Sequence, residues 1–328
     1  KVALNTLNIG RLTLPAICLG LIKQSLYHAR EWSTTRKQWG CSIGKHEAIA
    51  KKLANMAMDS FATEAMVLLT CNLVDSKKGD IRVESAMCKM WGTEQAWRVA
   101  DDCMQIFGGR GYETVSSLKS RGDDPIPVER NFRDSRINLI FEGSSEIMRL
   151  ILAREALDMH LKVASDVLNS RAPLKTRIKG ALRAGIFYLN WYPRQWLPFY
   201  KRLPRGLNKK TKQQLRYVQR TSKRLARLLF HSMIKYGPKL DKQQLLLGRV
   251  AEIGTELFVI TCSSLRSDML VKRDGNKTIT LLNDCIFSRS KLKIDSLFHD
   301  LKKNNDKNNY KLSKKILEHQ YENLEIPK

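Results

Sequence analysis

Apolar residues recur at helical spacing through four long stretches in the first half of the chain, and almost no stretch alternates as a half-buried strand does. Pro15 interrupts the first stretch, but an early turn or a kink accommodates a proline. Polar or glycine-containing turns separate the four stretches. The pattern therefore predicts long antiparallel helices joined by short turns, a four-helix bundle built from residues 7–32, 46–73, 81–107 and 144–159.

The second half of the chain also has a helical pattern, so the predicted fold class is all-α. Residues 215–236, 245–270 and 279–301 carry apolar positions three and four residues apart. The polar, Asn-rich tract 302–310 is expected to form a loose loop before a last short helix. These segments predict a second helical domain after the bundle.

Charge is concentrated in the middle of the chain. The formal net charge is +26, and residues 161–240 hold 20 of the 58 Lys and Arg residues but one of the 32 Asp and Glu residues. We therefore divide the chain into a helical bundle at 1–160, a basic aromatic linker and helix at 161–240, and a helical extension at 241–328. A basic excess of this size predicts an acidic surface as partner.

The basic block also contains a cluster of aromatic residues and prolines. Tyr and Trp rings settle at membrane headgroup depth, and cations are attracted to anionic lipid. The block is too short and too charged to span a bilayer. We therefore expect it to bind an anionic membrane surface, and a solvated helix face or a nucleic-acid surface are the alternatives. The expected contacts are Tyr188, Trp191, Tyr192, Trp196, Tyr200 and the cations Arg216, Arg220, Lys223, Arg224 and Arg227.

Other features of the composition exclude several classes of protein. Seven cysteines are scattered without a C-x-x-C pair, which indicates core thiols in a reducing compartment rather than a disulfide framework or a metal site. The apolar runs are broken before about 18 residues, so neither a signal peptide nor a transmembrane span is predicted. The first residue is Lys1 rather than Met, from which we expect a fragment of a longer protein.

One acidic turn carries candidate chemistry. Glu142 and Gly143 follow the apolar run 137–141 and precede a helix that Ser144 or Ser145 can cap. The helix dipole favours an ionised carboxylate at this place, whereas desolvation by the apolar run opposes ionisation. These opposing effects can bring the pKa of the carboxyl group to the range of a general base. The alternative is that Glu142 is a solvated turn residue.

Four ordered motifs connect this turn to a known family. Asn8 to Arg11 reads NIGR, Arg36 to Gly40 reads RKQWG, and the runs CMQIFGGRGY and VERNFRDSRI precede the Glu142 turn. Together they resemble the C-terminal half of the acyl-CoA dehydrogenase family over about Asn5 to His160, with Trp in place of Phe in the family's R-x-x-F-G motif. The long extension beyond His160 resembles the very-long-chain subfamily.

The resemblance implies an FAD-dependent oxidoreductase of fatty acid β-oxidation. Such enzymes take two hydrogens from the α and β carbons of an acyl-CoA thioester. Glu142 stands at the position of the base that removes the α-proton, and Gly10, at the family's alternative base position, cannot serve. Arg11 matches the arginine near the CoA and the base, and Gly143 lets the turn approach the ligand. The backbone N–H of Glu142 would help to polarise the thioester carbonyl.

The resemblance also implies a flavin site. Arg36, Gln38 and Trp39 stand where the family contacts the FAD of the neighbouring subunit. Gln105 and Gly109 match the residues that reach its adenosine and pyrophosphate end.

Two further cofactor residues belong to the turn. Ser144 replaces the usual threonine and keeps the hydroxyl, and Glu146 replaces a residue that often has Gln or Asn character at the adenine. Because the family shares FAD sites across an interface, the resemblance implies a homodimer. It also implies electron-transfer flavoprotein as the electron acceptor.

The family's first helical domain and middle β-domain are missing from this sequence. We therefore expect the fragment alone to be inactive and the acyl pocket to lie upstream of Lys1. The expected location is the cytoplasm of a bacterium, at the membrane, or the mitochondrial inner membrane of a eukaryote. The rival interpretations are a non-catalytic membrane-associated scaffold or assembly factor and a DNA-binding relative. A nucleic acid is the less favoured partner, because the aromatic cluster suits a lipid interface better.

Overall fold

Helices dominate the computed structural model, which describes residues 2–77, 80–168, 173–198 and 200–324. One short antiparallel hairpin pairs β1 (Lys37–Gln38) with β2 (Cys41–Ser42). The predicted all-α fold class is therefore confirmed. The helices are α1 (Val2–Thr35), α2 (Glu47–Asp75), α3 (Arg82–Phe107), α4 (Gly109–Tyr112), α5 (Val115–Ser120), α6 (Val128–Ser135), α7 (Ser145–Leu168), α8 (Leu174–Arg194), α9 (Lys209–Tyr236), α10 (Gln244–Asp274), α11 (Thr278–Asp300) and α12 (Asp306–Leu317).

The predicted bundle consists of α1, α2, α3 and α7. Pro15 lies inside α1 without ending it, and Gly92 of α3 faces it so closely that a Cβ on Gly92 would stand 2.9 Å from Pro15 Cβ. The absence of a side chain at Gly92 thus lets α1 and α3 approach each other at the proline. The inward positions predicted for α3 are all buried, with at most 4% of the residue exposed, at Ala86, Met90, Ala96, Val99 and Ile106.

The C-terminal extension shares a core with the bundle. Met66, Trp91 and Met148 of the bundle belong to one apolar cluster with Val259 of α10 and Ile286 of α11. Burial of such residues contributes roughly 25 cal/mol for each Å² of apolar surface removed from water. This shared core fixes the extension against the face formed by α2, α3 and α7.

Buried ion pairs cross the same interface. Asp59 of α2 is 4% exposed and pairs with Arg289 of α11 at 2.5 Å. Glu256 of α10 is 5% exposed and pairs with Lys293 at 2.9 Å. Because buried charges need partners, these pairs specify how α10 and α11 are seated on the bundle.

Helix α2 is long and apolar enough to cross a membrane by length and composition. However, 56% of its most apolar window is buried, and it packs against α1, α3 and α10. A core helix of a bundle gives the same composition, so burial favours the core interpretation.

Three local features differ from the sequence-based prediction. Helix α7 continues to Leu168, so the domain boundary placed at residue 160 lies inside a helix. The predicted polar loop 116–127 contains most of α5, because the Thr114 hydroxyl caps it by accepting the N–H of Ser117 at 3.3 Å. Helix α12 begins inside the Asn-rich tract, where Arg249 of α10 binds both carboxylate oxygens of Asp306, at 2.6 and 2.8 Å.

Candidate functional site

The candidate active site is the tight turn before α7. Glu142 has φ +57° and Gly143 has φ +99°, so both residues lie in the left-handed region. A non-glycine residue held there costs about 1–3 kcal/mol, which the surrounding structure must supply. A Cβ on Gly143 would stand 2.4 Å from Met148 Cε, so only glycine fits beside this buried methionine.

The turn directs the Glu142 carboxylate onto α1. A Cβ built on Gly10 would lie 3.2 Å from Glu142 Oε2 and 3.3 Å from Oε1. Oε2 is buried and has no hydrogen-bond partner within the described residues. An unpaired buried carboxylate oxygen is costly for stability, and it is chemically free to accept a proton.

Two cations hold the backbone of this turn. Arg11 of α1 is half-buried and donates from Nε to the carbonyl oxygen of Glu142 at 3.4 Å. Lys89 of α3 is fully buried and donates from Nζ to the carbonyl oxygen of Gly143 at 2.6 Å. The structure therefore brings Arg11, Glu142 and Gly143 together as predicted. The sequence reasoning missed Lys89, although a lysine one helical turn after the inward residue Ala86 was a visible signal.

Two predicted cofactor residues, Ser144 and Glu146, lie at the start of α7. Of the two candidate caps, Ser144 is the one that acts, because its Oγ accepts the N–H of Ile147 at 3.5 Å. Hydrogen bonds from its own backbone N–H and from the Ser144 hydroxyl lower the pKa of Glu146 below its usual range. Both residues line a cavity of about 320 Å³ together with Trp97, Arg136 and Arg149.

A second cavity, of about 670 Å³, lies between the β1–β2 hairpin and the end of α3. Arg36, Gln38, Trp39 and Gly109 line it, so four of the predicted cofactor residues meet there. Gln105 lies one turn earlier on α3, is exposed and does not line this cavity. Other lining residues that the sequence reasoning missed are Trp32, His46, Phe107, Arg110 and Arg121.

The second cavity has the chemistry of a site for an anionic aromatic ligand. Trp39 has φ +51° and 89% of its surface is exposed, so its ring is open to a ligand or another chain. Arg36 supplies positive charge, whereas Arg110 pairs with Asp123 and Arg121 pairs with Glu113 and Asp123. Gly109 leaves open space where other residues carry a Cβ. Guanidinium groups bind phosphate by charge-assisted hydrogen bonds, so these residues fit the pyrophosphate and ring systems of FAD.

Three rings of the aromatic run contact neighbouring helices. The Tyr188 hydroxyl pairs with His160 Nδ1 at 3.1 Å, and the Tyr192 hydroxyl pairs with His231 Nε2 at 2.9 Å. Trp191 makes a T-shaped contact with His160 at a centroid distance of 4.8 Å. These rings attach α8 to α7 and α9, because their polar ends find histidine partners on those helices. Trp196 is 60% exposed, and the contact of this run with a membrane stays a prediction.

Four of the α9 cations predicted for the membrane make contacts within the chain. Lys223 donates to the carbonyl oxygens of Arg194 and Leu197 at 2.9 and 2.8 Å, at the C-terminal end of α8. Arg227 donates to the Gln195 carbonyl and lies over the ring of Trp196. Such contacts satisfy carbonyls that a helix end leaves without partners. The remaining inward cations are Arg216, which bonds the Lys201 carbonyl, and Arg224, which stacks on Phe298.

The cysteines have no common site. Cys18, Cys88, Cys103 and Cys262 are buried, whereas Cys285 is exposed and is therefore not the core thiol expected. Burial raises the pKa of Cys18 to about 11, so this thiol stays neutral at physiological pH. The described residues contain no group of three or more His, Cys, Asp or Glu side chains that could hold a metal ion.

Comparison with known proteins agrees with the site. Residues 1–157 match the family profile of the acyl-CoA dehydrogenase C-terminal domain. Probable acyl-CoA dehydrogenase FadE10 of Mycobacterium tuberculosis is 43% identical over 331 residues, which cover 99% of this chain and 50% of that protein. The mitochondrial very long-chain specific acyl-CoA dehydrogenase of Rattus norvegicus is 39% identical over 153 residues, covering 47% of this chain and 22% of that protein.

A solved structure extends the similarity in fold beyond residue 157. The acyl-CoA dehydrogenase from Bacillus anthracis, crystallised with FAD, covers 95% of this chain with a TM-score of 0.70 and 25% identity, and the match spans 52% of that chain. The chain thus spans about half the length of the mycobacterial relatives that it matches. Residues 1–157 thus carry the C-terminal domain of the acyl-CoA dehydrogenase family, and the whole chain is similar to mycobacterial proteins with that name.

Proposed function

We propose that this chain is the C-terminal half of an FAD-dependent dehydrogenase that introduces an α,β double bond into acyl-CoA thioesters of fatty acid β-oxidation. The observation that carries the proposal is the buried, unpartnered Glu142 Oε2 on a strained turn. A scaffold protein would have no use for an uncompensated carboxylate oxygen, whereas a proton-abstracting enzyme needs one.

In this proposal, Glu142 removes the α-proton of the thioester. Arg11 and Lys89 fix the turn by binding its two carbonyl oxygens. The backbone N–H of Glu142 polarises the thioester carbonyl, and bound FAD supplies the acceptor for the β-hydride. Fixed positioning of this kind supplies much of an enzyme's rate, because the base need not search for its proton.

The cofactor residues form two groups, and we propose that each group serves a different FAD of a homodimer. Ser144 and Glu146 line the cavity at the turn, whereas Arg36, Gln38, Trp39 and Gly109 line the cavity at the hairpin. The exposed ring of Trp39 favours a ligand held by another subunit. Gln105 would reach the adenosine end from outside the hairpin cavity. Electrons would leave to an electron-transfer flavoprotein.

The proposed function is tested on the longer protein that contains this chain, purified after expression with FAD. We expect a yellow dimer whose flavin absorbance is lost when a saturated long-chain or very-long-chain acyl-CoA is added without oxygen. A protein that binds no flavin, or whose flavin absorbance is unchanged by acyl-CoA of every chain length, would contradict the proposal. Testing acyl-CoAs of several chain lengths in the same assay identifies the substrate class.

We further propose that α8 attaches this enzyme to an anionic membrane surface. Its exposed apolar residues recur every three or four positions at Leu174, Ile178, Leu182, Ile186 and Leu189, each between 53% and 78% exposed. Exposed cations flank this stripe at Lys175, Lys179 and Arg183. A helix with an aliphatic stripe and basic flanks lies in the plane of an anionic bilayer, with the stripe in the acyl boundary.

The membrane proposal is tested by sedimentation of the 328-residue chain with vesicles. Binding to anionic vesicles should exceed binding to neutral vesicles and should weaken with salt, because salt screens the cations. Equal or stronger binding to duplex DNA at the same salt would instead support the DNA-binding alternative.

A further inference from the structure

Lys89 is the largest fully buried side chain in the part of the chain that the structure describes, with no exposed surface. Burying an ammonium group is costly unless it is paired, and burial lowers the pKa of Lys89 from its usual range. A lysine is rarely retained at such a position for packing alone, because an apolar residue fills the space without the cost of desolvation. The contacts of Nζ therefore indicate what the charge does.

The Lys89 ammonium reaches the candidate base turn from α3. Its Nζ donates to the Gly143 carbonyl oxygen at 2.6 Å, which is short for a hydrogen bond from a charged donor. Gly143 has φ +99° and its neighbour Glu142 has φ +57°, so the backbone at this carbonyl is strained. The hydrogen bond stabilises the conformation that aims the Glu142 side chain at α1.

The charges around Lys89 come from three elements. Glu142 on the turn and Glu94 on α3 attract the ammonium, Arg11 on α1 repels it, and Cys18 on α1 is a neutral thiol below a pH of about 11. Glu142 has a buried Oε2 without a hydrogen-bond partner in the described residues. The ammonium of Lys89 is thus a positive charge close to this carboxylate.

We propose that Lys89 is a positioning residue for the base: it holds the Glu142–Gly143 turn in its left-handed conformation through the Gly143 carbonyl. This inference rests on the proposed function of Glu142.

The first experiment measures rates in the longer dehydrogenase that contains this chain. Lys89→Met removes the donor and the charge, whereas Lys89→Gln keeps an amide donor without the charge. The matched control is Lys23→Met on α1, a half-exposed lysine that pairs with Glu64 at 2.5 Å. We expect Lys89→Met to lower kcat by roughly tenfold to a hundredfold with flavin still bound. Lys23→Met should keep the wild-type rate.

The split between kcat and KM separates positioning of the base from simple support of the fold. Lys89→Gln keeps a donor for the Gly143 carbonyl, so its kcat should lie between those of Lys89→Met and wild type. KM for acyl-CoA and flavin content should stay close to wild type in both Lys89 variants. Equal loss of kcat in the two variants, or a loss that follows loss of flavin, would overturn the inference, because it would reduce Lys89 to structural support.

The second experiment uses the 328-residue chain and needs no activity. In hydrogen–deuterium exchange, amides of residues 142–148 should exchange at least tenfold faster in Lys89→Met than in wild type, and Lys89→Gln should lie between the two. Unchanged exchange at the turn would overturn the inference even if the enzyme is active. Wild-type protein without acyl-CoA oxidation would contradict the proposed function instead, and the exchange result would still test the turn.

Discussion

The carboxylate of Glu142 lies directly over the Cα of Gly10, so that a Cβ at position 10 would stand 3.2 Å from Glu142 Oε2. The two residues are 132 positions apart in sequence, on the turn before α7 and on α1. They match the two positions at which the acyl-CoA dehydrogenase family carries its catalytic base. The fold therefore brings both base positions to one point, and glycine at the first leaves room for the carboxylate from the second.

Because the two positions meet, we predict that a carboxylate can act as the base from residue 10 as well as from residue 142. In the longer protein, Glu142→Gly should remove acyl-CoA oxidation and also relieve the strain of a non-glycine residue at φ +57°. Adding Gly10→Glu should raise the rate at least tenfold above that of Glu142→Gly, because a carboxylate from α1 reaches the same place. A flavin-containing double variant that is no faster than Glu142→Gly would contradict the convergence.

Arg36 is expected to support flavin binding. Arg36→Ala should lower the flavin content after gel filtration, because it removes a guanidinium from the cavity at the hairpin. Gln105→Ala should have a smaller effect, since Gln105 does not line that cavity. The control is Arg30→Ala near the end of α1, where Arg30 pairs with its neighbour Glu31. Equal flavin content in Arg36→Ala and Arg30→Ala would argue against this assignment.

The apolar stripe of α8 should decide membrane attachment. Leu182→Glu with Ile186→Glu places two negative charges among residues that are 63% and 68% exposed, so vesicle binding should fall by an order of magnitude or more with little change in stability. Leu292→Glu on α11 is the control, because Leu292 is 72% exposed and lies outside the basic block. If both proteins sediment equally with anionic vesicles, α8 is not the attachment site.

The buried pair between α2 and α11 should make stability depend on pH. Burial raises the pKa of Asp59, against the opposing charge of Arg289. Arg289→Met removes the opposing charge, so the free energy of unfolding should fall by about 3 kcal/mol near neutral pH. The Asp59 carboxyl then binds a proton more readily in the folded state than in the unfolded state. The free energy of unfolding should therefore rise again as the pH falls through the raised pKa of Asp59 in the folded protein.

Urea unfolding of Arg289→Met at about pH 7 and about pH 5 measures this effect. The double variant Asp59→Asn with Arg289→Met should be more stable than Arg289→Met near neutral pH, because it does not bury the unpaired carboxylate of Asp59. Lys210→Met breaks an exposed pair with Asp284 and should change the free energy of unfolding by about 1 kcal/mol or less. A loss for Arg289→Met that does not depend on pH would contradict the role of the Asp59 charge.

The helices of the bundle could be predicted from sequence because their cores are periodic. The inward positions of α3 follow from spacing alone, and Gly108 ends that helix with φ +63°, as a glycine there predicts. The apolar run 137–141 and the serine cap placed Glu142 on its turn, and the resemblance to the family implied its role as the base. Neither source could show that Gly10 leaves space for the carboxylate, since that space depends on how α1 is packed.

The basic block shows where a sequence pattern is ambiguous. Tyr188 and Tyr192 have an apolar body and a polar end, which suits a membrane interface and equally suits a histidine inside a protein. His160 and His231 lie on other helices, so the partner could not be read from the run itself. Conversely, the sequence analysis did not single out the leucine and isoleucine stripe of α8, which the structure leaves exposed.

The most direct test of the proposed base is Glu142→Gln in the longer flavoprotein, measured by rapid mixing with acyl-CoA. The amide keeps the size of the side chain and removes the proton acceptor, so the variant should retain FAD and bind acyl-CoA. Its rate of flavin reduction should fall by at least about a hundredfold. Glu155→Gln on α7, where Glu155 pairs with Arg82 at 3.2 Å, is the control and should reduce its flavin at a rate close to that of wild type. Flavin reduction at the wild-type rate in Glu142→Gln would contradict the account.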